Sequence, residues 1–94
     1  MEAFYADVRF EDDYDNPVRY ELDDMFGMSD FNDLFRLKAD EIEHITLVID
    51  DATVYAKRLI SGGVGCEYKG MRQRYDSFIA WHEGIFRDKL ERCV

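Results

Sequence analysis

FYADVRFEDDYDNPVRYEL, residues 4–22, alternates apolar and polar side chains on either side of an acidic insert. Phe4, Ala6, Val8 and Phe10 alternate with Tyr5, Asp7 and Arg9, the period-two pattern of a strand with one buried face. Val18, Tyr20 and Leu22 repeat the pattern against Arg19, Glu21 and Asp23. Between them lies EDDYDNP, residues 11–17, ending on the turn signal Asn16-Pro17. Two alternating runs with a short polar connector are expected to pair as a hairpin.

From that hairpin the reading works outward. Asp23 to Gly27 breaks the alternation, and Ser29 is placed to cap a helix whose first turn holds Asp30 and Asp33, where the helix dipole favours acids. Phe31, Leu34, Phe35 and Ile42 recur at helical spacing, so a helix is expected over about 29–41. Ile45 to Ile49 is β-branched and apolar, the mark of a well-buried strand, and after Asp50-Asp51-Ala52 a returning strand is expected from Thr53 to Ile60. Ser61 to Gly65 reads as a flexible break. Met71, Tyr75, Phe78, His82, Ile85, Phe86 and Cys93 then recur every three or four residues, predicting a helix of about five turns from Gly70 or Met71. The expected fold is α+β in the order ββαββα, a small antiparallel sheet with two helices packed on one face, as a single domain over 1–94.

Composition bounds the rest. Ninety-four residues hold one modest core, and 47% hydrophobic residues with 15% aromatics are globular rather than disordered. No apolar run reaches the roughly 20 residues of a membrane span, and MEAFYADV has acids where a signal peptide has bases. Cys66 and Cys93 form no disulfide framework, so a cytoplasmic chain with reduced thiols is expected. The net charge of −9 is uneven: residues 1–51 sum to −12 and residues 52–94 to +3. Such asymmetry opposes direct binding of nucleic acid through the first half.

Motifs for chemistry are incomplete. Glu11, Asp13 and Asp15 stand at calcium-loop positions, yet Asn16 and Leu22 replace the required Gly and Glu. Gly62-Gly63-Val64-Gly65 lacks the Gly-Lys-Ser/Thr ending of a phosphate loop, and His82-Glu83 lacks the second His of a zinc protease. Cys66, Cys93, His44 and His82 match no zinc-finger spacing. No catalytic residue, metal or cofactor is therefore assigned, and the chain is not expected to be an enzyme. Lys57, Arg58, Lys69, Arg72 and Arg74, interleaved with Tyr68, Tyr75 and Trp81, read as charges balancing the acids rather than as an RNA surface.

The acids remain. Glu11, Asp12, Asp13, Asp15, Glu21, Asp23, Asp24, Asp30, Asp33 and Asp40 are the expected partner-binding residues, forming a row of carboxylates at spacings of about 7–10 Å on strand and helix. Duplex DNA carries charge every 1.7 Å or so of its axis, so such a row suits a groove built for nucleic acid. Tyr14, Met25, Phe26 and Met28 are the expected apolar anchors. The length, EDDYDNP, ELDD at 21–24 and ADEIE at 39–43 resemble small acidic anti-CRISPR proteins of the DNA-mimic kind, inhibitors carried by phages and mobile elements. The resemblance implies an inhibitor binding the basic nucleic-acid groove of a CRISPR effector complex in the host cytoplasm, as monomer or homodimer, with no nucleic acid or membrane bound directly. Its basic second half departs from that type. The alternatives are an immunity protein neutralising a cationic nuclease toxin and a small adaptor whose acidic face is merely solvated.

Overall fold

The computed structural model describes residues 4–22, 25–49 and 52–85, with residues 25–28 described by backbone alone. Ile42–Ile49 is strand β3, at the middle of the sheet; its Ile42, Ile45 and Leu47 are fully buried. On one side it pairs antiparallel with β1, Phe4–Phe10, and on the other with β4, Ala52–Arg58. β2, Asp13–Glu21, forms one edge of the sheet beside β1. β5, Val64–Tyr68, and β6, Met71–Tyr75, complete the order β2-β1-β3-β4-β5-β6, antiparallel throughout.

Helices α1, Met25–Leu37, and α2, Phe78–Ile85, lie over one face of the sheet, and a short 3-10 helix, Ala39–Glu41, leads into β3. Ala6, Val8, Ile45, Leu47, Val54, Ala56, Val64 and Cys66 bury the sheet's inner face against Phe31, Leu34 and Phe35 of α1 and Phe78, Trp81 and Ile85 of α2. Phe31 meets Phe35 edge-on at 4.9 Å between centroids, and the His82 ring stacks on Phe35 at 4.2 Å. Trp81 is fully buried and donates Nε1–H to Cys66 Sγ at 3.3 Å, which meets the indole's need for an acceptor. No helix among the described residues is long and apolar enough to cross a membrane.

The α+β class and the first hairpin agree with the sequence reading; the order ββαββα does not. Residues 71–75, expected to open the last helix, are strand β6, and the break at 61–65 ends in strand β5. Positions 71 and 75 share a face in a strand and in a helix alike, so their spacing did not separate the two. What separates them is the two-residue loop: Tyr68 pairs with Met71, and Lys69 (φ 50°) with Gly70 (φ 80°) both lie in the left-handed region, the sign pattern of a type I′ hairpin turn. The final helix begins where Ser77 caps it, its Oγ accepting from Ala80 N at 3.1 Å. Residues 86–94, including Phe86 and Cys93, lie outside the described residues.

Two boundaries shift as well. α1 starts at Met25, so Ser29 lies inside the helix instead of capping it, and residues 39–41 form the separate 3-10 helix. In the first hairpin Phe10 pairs with Asp13, which confines the turn to Glu11 and Asp12. Most of EDDYDNP is therefore strand, and β2 tolerates Pro17 because an edge strand needs no second set of donors.

Candidate functional site

The β1–β2 turn folds back onto the 3-10 helix. Glu11 N donates to Glu41 O at 2.9 Å, so Glu11 and Asp12 of the turn stand beside Asp40 and Glu41. All four are exposed, and none has a salt bridge among the described residues. Asp13 adjoins them at the start of β2 and accepts from Asn16 Nδ2 at 2.8 Å. Arg9 donates to the Tyr14 carbonyl and lies 5.2 Å from the exposed Tyr14 ring, bracing the turn from its other side.

Arg58 fixes the second half of this acidic end. Its Nη2 reaches the carbonyls of Asp40 at 2.9 Å and Ile42 at 2.7 Å, and its Nε pairs with Glu43 at 3.5 Å. One planar guanidinium thus ties the short helix at Asp40 to the start of β3 at Ile42, a task suited to its fixed fork of donors.

The remaining predicted residues lie elsewhere. Asp15 is exposed further along β2, and Glu21 stands at that strand's far end, paired in register with Tyr5. Asp30 and Asp33 belong to α1: Asp33 forms an ion pair with Arg36 at 2.9 Å, while Asp30 joins burial in pushing the Tyr20 hydroxyl pKa up. Asp7, close to Glu21, is neutralised by Arg19 at 2.8 Å, and that guanidinium lies 4.0 Å from the Tyr5 ring. Asp23 and Asp24 lie outside the described residues, as do the side chains of Met25, Phe26 and Met28. The expected single row is therefore divided: Glu11, Asp12, Asp13 and Asp40 come together, with Asp30 and Asp33 on the helical layer and Glu21 at the opposite end.

The face of the sheet away from the helices carries Lys57, Arg72 and Arg74, bases that the sequence reading took as charges balancing the acids. Cross-strand pairing sets His44, Lys57, Gly65 and Arg74 in one row, and Thr46, Tyr55, Glu67 and Arg72 in the next. Between them opens a cleft of about 570 Å³ lined by His44, Tyr55, Lys57, Glu67, Arg72 and Arg74 among others. His44 is held below its ordinary pKa by burial and by the nearby charges of Arg9 and Lys57, so it is neutral at pH 7. Tyr68, Tyr75 and Trp81, considered from sequence as companions of these bases, pack toward the core instead. The β3–β4 register sets His44 beside Lys57, and the registers of β5 and β6 bring Tyr55 into line with Arg72.

Among the described residues no three of His, Cys, Asp and Glu gather as metal ligands. No protein-family model, curated protein or solved structure matches this chain.

Proposed function

We propose that the chain is a non-catalytic binding protein that covers a basic, nucleic-acid-binding surface of another protein with its acidic end, and thereby inhibits it. A CRISPR effector complex is the partner class that the chain's resemblance favours, with action in the host cytoplasm. The observation that carries this reading is the bond from Glu11 N to Glu41 O, which gathers Glu11, Asp12, Asp40 and Glu41, unpaired among the described residues, onto one braced rim. A backbone held in place before binding loses little conformational entropy when it docks, and uncompensated charge speeds encounter with a basic groove.

The test is competition. A purified RNA-guided effector complex is incubated with labelled target DNA and increasing amounts of this protein, at about 0.05 M and about 0.2 M salt. The expected result is displacement of DNA that weakens at the higher salt. DNA binding that stays unchanged at every protein concentration, across effectors of different types, would overturn the reading.

A further inference from the structure

The acidic end leaves the other side of the molecule unexplained. β2 and β6 lie five strand spacings apart, about 24 Å, which is more than two Debye lengths at physiological salt. The cleft runs from β3 to β6, so its near wall lies two strand spacings from β2, about 10 Å, and only its β5–β6 side is well screened from the acids at the β2 edge. Lys57, Arg72 and Arg74 face it; Glu67 lies 3.8 Å from Arg72, Asp76 lies 3.3 Å from Arg74, and Lys57 has no ion pair among the described residues.

Its shape has a specific cause. Gly65 sits between Lys57 and Arg74 in the cross-strand row and lets the Leu59 side chain pack down onto the sheet between them. A Cβ at Gly65 would meet Leu59 Cδ2 at 3.0 Å, so the Leu59 side chain forms the cleft's apolar floor at that point. Arg74 is aimed by the Gly62 carbonyl at 3.2 Å and by Asp76 at 3.3 Å. Tyr55, half exposed, lies two residues along β4 from Lys57, about 6.6 Å away on the same face. His44 lies 6.4 Å from it, ring to ring. Enclosed within the protein, His44 Nδ1 has no hydrogen-bond partner among the described residues, an unmet capacity at the cleft wall.

We propose that this cleft binds a nucleotide: the phosphate sits between the Lys57 and Arg74 side chains, and the base stacks on Tyr55. The ribose spans the step between the two rows. Glu67, beside Tyr55 in register, accepts from an amino group on the base, and its 3.8 Å contact with Arg72 is loose enough to yield. A volume of about 570 Å³ suits a mononucleotide. The site shares no residue with the acidic end and stands independently of the function proposed for it.

The same phosphate-and-ring chemistry comes from a free nucleotide or from a single strand, and the experiment separates them. Amide spectra of isotope-labelled protein are recorded while adenosine monophosphate, adenosine, inorganic phosphate or a short oligoadenylate is added to about millimolar concentration. The expected result is saturable shifts at His44, Tyr55, Lys57, Gly65 and Arg74 with adenosine monophosphate, and binding at least about ten-fold weaker for adenosine or phosphate alone. Oligoadenylate binding more tightly than the mononucleotide marks a strand as the source; equal or weaker binding marks the free nucleotide. Lys57→Gln with Arg74→Gln, both exposed, is expected to weaken binding about ten-fold or more, and Tyr55→Ala, also exposed, to do so by removing the stacking ring while distant amide signals stay in place. Absence of shifts at these residues, phosphate binding as tightly as the nucleotide, or full affinity in both variants would overturn the proposal.

Discussion

Replacing Gly70 with alanine separates a hairpin at residues 64–75 from a helix starting at 70, because the two structures demand opposite signs. In the hairpin Gly70 has φ 80° and nothing within 4 Å of an added Cβ, so the substitution meets no clash. Its cost is the left-handed backbone alone, about 1–2 kcal/mol for an L-residue. Restricting the unfolded chain returns about 0.4–1 kcal/mol. The net expectation is a loss of about 1 kcal/mol, against a total of about 5–15 kcal/mol for a domain. That corresponds to a fall in Tm of about 4–8 °C. Were residue 70 the first turn of a helix, alanine would instead favour folding by up to about 1 kcal/mol. The assay is urea unfolding followed by fluorescence of Trp81, the chain's one tryptophan, which is fully buried. Lys69→Asn is the companion variant: asparagine tolerates φ 50° better than lysine, so it is expected to be neutral or stabilising by some tenths of a kcal/mol. Gly70→Ala that leaves the midpoint unchanged or raises it would refute the hairpin, and with it the placing of Arg72 and Arg74 beside the cleft.

Other consequences follow from single contacts. Arg58→Lys removes the fork that holds the Asp40 and Ile42 carbonyls and is expected to cost about 1–2 kcal/mol in urea melts. Trp81→Phe removes the donor to Cys66 Sγ and leaves a void in the core; a loss of about 1–3 kcal/mol is expected by the same measurement. Burial lowers the pKa of both His44 and His82, so near and below pH 6.5 or so the unfolded chain binds more protons than the folded one. Stability is therefore expected to be full above that pH and to fall as pH drops toward about 5, with a shallower fall in His82→Gln; a urea midpoint that rises on acidification would contradict this.

The hairpin β1–β2 and the central strand β3 were legible because alternation and a β-branched run each have one structural meaning. The second half was not. Met71 and Tyr75 satisfy both periods, and Lys69-Gly70 lacks the Asn-Gly or Asp-Gly chemistry that advertises a tight turn, although its φ values are those of one. Ser77 is a cap residue, but the apolar spacing from Met71 to Ile85 runs across it and conceals the helix start. The acids were visible as composition, but their grouping was not. A hydrogen bond between residues thirty apart in sequence brings Glu11 to Glu41, while Glu21 is carried to the other end simply by the length of β2. The cleft depended on which strand Gly65 and Arg74 occupy, so losing the β5–β6 register meant losing the site.

Two charge-matched variants test the acidic end most directly. Glu11→Gln, Asp12→Asn and Asp40→Asn remove three charges from the braced rim; Glu21→Gln, Asp76→Asn and Glu83→Gln remove three exposed charges elsewhere. Affinity for a purified effector complex is measured for both across a salt series. The rim variant is expected to lose about ten-fold or more and to flatten the salt dependence, while the control stays close to the unmodified protein. Equal losses in the two would mean that only total charge matters, contradicting a localised docking surface.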